Sequence, residues 1–124
     1  MKRLSALVLA GLLVAAASLR AAPVTVEGTL IDSACYLKGG ETTNDHGPMK
    51  ECGTMCLRGG TPAAVLTKDK KVHVIVAAST AFADYVGLPI RVTGEANGNA
   101  ILATKAQVQK DGKWIDVKIG ASMD

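Results

Sequence analysis

The chain has 124 residues, with 14 Lys and Arg against 11 Asp and Glu, enough for one modest hydrophobic core and too few for two. Lys2, Arg3 and Arg20 lie in an N-terminal segment read below as a cleaved leader, so eleven basic residues face eleven acidic ones in the remainder and the basic footprint of a phosphate-backbone binder is missing. The aromatics of the remainder, Tyr36, Phe82, Tyr85 and Trp114, are too few for a base-stacking platform, so nucleic acid is not an expected partner.

Lys2 and Arg3 precede an apolar run from Leu4 to Ala17, and small residues crowd its end at Ala15-Ala16-Ala17-Ser18. That is the n-region, h-region and cleavage-region order of a secretory signal peptide, expected over residues 1–22. The run is shorter than the roughly 20 residues a bilayer span needs, so no membrane span is expected once the leader is gone. Residues 23–124 then form one exported domain, periplasmic or secreted.

From Val24 the sequence alternates, with Val26 and Leu30 on one side and Thr25, Glu27 and Thr29 on the other, and Gly28 marks a bend. Between Asp32 and Pro62 the alternation stops, and Gly, Asn, Asp, His and Cys dominate what is expected to be a long functional loop. Ala63 to Thr67 and Val72 to Ala77 are apolar strands joined by the charged turn Lys68-Asp69-Lys70-Lys71. Ser79 is placed to cap a short helix carrying Phe82 and Val86, and Gly87 with Pro89 supplies its stop. Three strands follow, over 90–96, 100–109 and 114–119, separated by the turns Asn97-Gly98-Asn99 and Asp111-Gly112. The order predicts a mainly β fold. It is that of a small five- to six-stranded OB-like barrel, with one short helix between strands 3 and 4 and the long Cys/His loop between strands 1 and 2. Its core is expected around Val26, Leu30, Val74, Val92 and Leu102, with the helix near 80–86, which carries Phe82, plugging one end.

The insertion at 32–62 holds Cys35, His46, Cys52 and Cys56, all of the chain's cysteines and one of its two histidines. Pro48 suits the first position of a helix that Gly59-Gly60 ends, which sets Cys52 and Cys56 one turn apart on one face, with Cys35 and His46 arriving from the loop. Three thiolates and one imidazole suit tetrahedral zinc, and soft sulfur suits copper(I) equally well. Two other readings compete. A disulfide from Cys35 to Cys52 or Cys56 would staple the loop, gaining roughly 3 kcal/mol from a closed loop of about 20 residues. A redox thiol paired with His46 is the other, although no C-x-x-C is present. Met49 and Met55 flank the cysteines as helix-packing residues or copper ligands, and His73 is expected to face the surface of its strand. Asp32 is placed to cap a turn or hydrogen-bond a metal ligand, and Asp45 to orient His46. No G-x-S-x-G, H-E-x-x-H or phosphate-cradling loop occurs, so the case for an enzyme is poor.

Gly28-x3-Asp32-Ser33-x-Cys35-Tyr36, Asn44-Asp45-His46, Cys52-x3-Cys56, Gly59-Gly60-x-Pro62 and Val92-Thr93-Gly94 together resemble a group of small exported bacterial domains that carry this cysteine–histidine motif on an OB-like barrel. The resemblance spans roughly residues 24 to 109 and implies that the four residues act as one unit. The leading expectation is an exported, non-enzymatic protein whose partner is a metal ion, zinc or copper. The alternatives are a disulfide-stabilised extracytoplasmic module for a protein or oligosaccharide ligand, and a thiol-redox protein.

Overall fold

The computed structural model describes residues 22–120; the expected leader falls almost wholly outside them. The first strand, β1 (Val24–Asp32), runs straight into a helix, α1 (Ser33–Gly39), and a second helix, α2 (Cys52–Arg58), precedes β2 (Ala63–Leu66) and β3 (Val72–Val76). A 3-10 helix (Ser79–Tyr85) leads to β4 (Pro89–Asn97), β5 (Ala100–Lys110) and β6 (Lys113–Asp116). The sheet order is β3-β2-β1-β4-β5-β6, and a parallel pairing of β3 with β5, Val74 to Val76 against Ala100 to Leu102, closes the first five strands into a barrel. β6 folds back on the end of β5 as an extra strand. This is the expected OB-like architecture, with a helix between strands 3 and 4 and the cysteine segment between strands 1 and 2.

Two glycines let the barrel close. β1 pairs with β4 over Val24–Thr29 and with β2 over Thr29–Asp32, so it must bend at the exchange. A Cβ on Gly28 would lie 2.1 Å from the Leu66 carbonyl oxygen, which no side chain tolerates. Gly94 sits at the register shift between β4 and β5, where a Cβ would lie 1.9 Å from the Leu102 oxygen.

The core gathers Leu30, Phe82, Ile90, Val92, Ile101 and Val108, all fully buried, with Val26 packed at its edge. Two expected core residues face the other way. Ile75 points inward and Val74 is only half-buried, while Ile101 is buried and Leu102 is 53 % exposed. Each strand is set one residue off the expected phase, and a one-residue change of register turns every side chain to the other face. A smaller apolar cluster, Ile31, Ala64 and Leu66 with Tyr36 and Val72, forms against α1.

Local details differ from expectation where a tertiary partner takes over. Ser79 does not cap its helix: its hydroxyl donates to the Leu57 carbonyl of α2 at 2.9 Å. The last strand stops at Asp116, although Val117 stays buried and its N–H bonds to Ala106.

Candidate metal centre

The segment expected as one loop contains a helix that the alternation could not reveal. Asp32 ends β1 and caps α1, its Oδ1 accepting the N–H groups of Ala34 at 2.9 Å and Cys35 at 3.4 Å. Gly40, at φ 75°, closes the helix with its N–H on the Tyr36 carbonyl. Asp32-Ser33 before and Gly39-Gly40 after are the start and stop signals that could have found it. Cys35 is thus carried on a helix and held by it, and does not arrive from a loop.

The second helix begins later than Pro48. Residues 46 to 49 make a tight turn, with paired backbone bonds between His46 and Met49 and Gly47 at φ 57°, and Glu51 at φ 52° turns the chain into Cys52. Asn44 fixes the start of α2: its carbonyl accepts the Gly53 N–H at 3.0 Å and its Oδ1 accepts the Thr54 N–H at 2.8 Å. The buried Thr54 hydroxyl donates to the Ala83 carbonyl at 2.7 Å, and Leu57 enters the core. Gly53 must be small, because a Cβ there would come within 2.7 Å of the Val86 side chain. Asp45 accepts the Glu51 N–H at 2.8 Å and is spent on the loop instead of on His46.

These supports bring together the sulfur atoms of Cys35, Cys52 and Cys56, all within 4.8 Å of one another and half-buried. All three are free thiols. A tetrahedral zinc–thiolate site with bonds of about 2.3 Å needs sulfurs roughly 3.8 Å apart, so binding requires only a small contraction. His46 stands outside this group; its Nε2–H donates to the Thr43 carbonyl at 2.8 Å. Met49 and Met55 do not pack into the fold, at 57 % and 64 % exposure. His73 is half-buried on β3, and its Nδ1 is enclosed without a hydrogen-bond partner among the described residues, so it does not simply face the surface.

Asp32 governs the electrostatics. The Cys35 thiol is pushed up to about 12 by its interaction with the Asp32 side chain, then by desolvation and by the negative charge of that carboxylate. Cys56 is raised for the same reasons in the same order. A raised thiol is a poor nucleophile at neutral pH, whereas reactive cysteines sit in electropositive surroundings.

A separate groove of about 920 Å³ has Gly28, Thr43, Thr67, Lys68, Pro89 and Trp114 in its lining and contains none of the cysteines. Among the described residues no helix is long and apolar enough to cross a membrane. No protein-family model, curated protein or solved structure matches this chain.

Proposed function

We propose that this protein is an exported, non-enzymatic metal-binding protein whose centre is built on Cys35, Cys52 and Cys56 and takes a thiophilic ion, zinc or copper. The observation that carries the reading is the convergence of three thiols from two separately anchored helices to within 4.8 Å. A single disulfide would need only two of them, and a reactive thiol would need its pKa lowered where Cys35 has it raised. Release into an extracytoplasmic compartment rests on the leader-like segment at 1–22.

Elemental analysis and thiol counting on the native protein test the reading together. One metal per chain with three thiols released by chelator and denaturant supports it. One free thiol without metal supports the disulfide instead, and would move the function to the groove beside Trp114, where Lys68 and the hydroxyls of Thr43 and Thr67 offer polar contacts to a protein or oligosaccharide.

A further inference from the structure

We propose that Asp32 is the fourth protein donor of the cysteine centre, making a set of three sulfurs and one oxygen that favours zinc over copper(I). The inference rests on the metal-binding reading and adds to it the missing ligand and the class of ion.

Asp32 is 2 % exposed. Its Oδ1 is occupied by the N–H groups of Ala34 and Cys35, but Oδ2 is enclosed and has no hydrogen-bond partner among the described residues. A buried carboxylate oxygen with unfilled lone pairs is costly, and a bound cation is one of the few things that repays it. The carboxylate also lies beside the thiols of Cys35 and Cys56. One oxygen held by backbone N–H groups with the other free is how a ligating carboxylate is oriented. Its position is rigid, because Asp32 pairs with Ala63 in the sheet and caps α1.

The donor chemistry then selects the ion. Copper(I) is soft and is satisfied by thiolates alone, whereas zinc is borderline and takes carboxylate oxygen at about 2.0 to 2.2 Å beside sulfur. Neither a ring nitrogen of His46 nor a carboxylate oxygen of Asp32 lies within 4.8 Å of all three sulfurs; His46 is tied to the Thr43 carbonyl, whereas the free Asp32 oxygen is enclosed and its carboxylate acts on the Cys35 and Cys56 thiols.

The experiment measures zinc and copper(I) affinities of the reduced protein by chelator competition for the wild type, Asp32→Asn, Asp32→Ser, His46→Ala and Cys56→Ser. Asn and Ser both keep the helix cap while removing the anionic donor, and circular dichroism of the metal-free variants checks the fold. The expected result is a loss of about 100-fold in zinc affinity for both Asp32 variants, with copper(I) changed less than about threefold and His46→Ala unchanged for zinc. In the cobalt(II)-loaded protein the d–d bands should shift in Asp32→Asn while the thiolate charge-transfer intensity stays constant. Zinc affinity of the Asp32 variants within about tenfold of wild type, an equal loss for copper(I), or a loss in His46→Ala in their place overturns this inference and leaves the metal centre standing. Zinc binding no tighter in the wild type than in Cys56→Ser removes the metal centre, and the inference with it.

Discussion

Asn44 and Thr54 are ten residues apart in sequence and joined by a 2.8 Å hydrogen bond from the Thr54 N–H to the Asn44 side-chain oxygen. The bond serves the first turn of α2 as a cap does, from a distant residue, because Glu51 at the cap position makes no side-chain cap hydrogen bond. Cys52 and Cys56 inherit their placement from it. Asn44→Ala should therefore destabilise the fold by about 1 to 2 kcal/mol, the range for losing a cap and leaving a buried donor unmade. It should also weaken metal binding about tenfold although Asn44 is not a ligand. Chemical unfolding and chelator competition on the same preparation check both effects, and a folded variant with unchanged affinity would show that α2 holds its cysteines without Asn44.

Closure of the barrel gives a second expectation. Gly94→Ala would drive a Cβ into the Leu102 carbonyl and should cost about 3 kcal/mol, whereas Gly98→Ala, at φ 57° with open space around it, should cost about 1 kcal/mol from backbone strain alone. Denaturant midpoints of the two variants measure the contrast. Equal midpoints would mean that the register shift opposite Thr93 and Gly94 relaxes freely.

The observed facing of the strands is tested by Phe82→Ala and Leu102→Ala. Emptying the site of the fully buried Phe82 should cost about 3 to 5 kcal/mol. Leu102 is half in water, and its truncation should stay within about 1 kcal/mol. A large loss at Leu102 would restore it to the core and contradict the register of β5.

The pH behaviour of the metal-free protein follows from Asp32 and Cys35. A thiol raised to about 12 in the fold, against 9.0 in the unfolded chain, favours the folded state below pH 9 and loses that contribution as pH rises from 9 through 12. Thermal unfolding of the reduced, metal-free protein should accordingly fall in midpoint across that interval, and less so in Asp32→Asn. At pH 8 alkylation of Cys35 should run at least about tenfold slower than that of a free cysteine and accelerate in Asp32→Asn. Mass spectrometry of the labelled peptide reads the rate directly, and fast labelling of the wild type would contradict the role given to the Asp32 carboxylate.

The sequence by itself determined the number and order of the strands, the charged turn after Thr67, the helix between the third and fourth strands and the burial of Phe82. All of these are local in origin: alternation of period two, turn residues at the breaks, and the chain's single phenylalanine on a short helix of small apolar residues. It also placed Cys52 and Cys56 on one helical face, since a spacing of four does so in any helix. The tertiary structure decided the rest. Whether Ile101 or Leu102 faces the core goes with the register shift at which β5 skips Thr104 opposite Thr93 and Gly94, which two adjacent apolar residues cannot express. Cys35 meets the other thiols because α1 lies against Ile31, Ala64 and Leu66 while α2 docks on the 3-10 helix, and both are packing events between segments distant in sequence. The surroundings of His46 and Asp32 are tertiary for the same reason: the turn at 46–49 brings the imidazole to the Thr43 carbonyl, and burial at the end of β1 leaves one Asp32 carboxylate oxygen enclosed without a hydrogen-bond partner among the described residues.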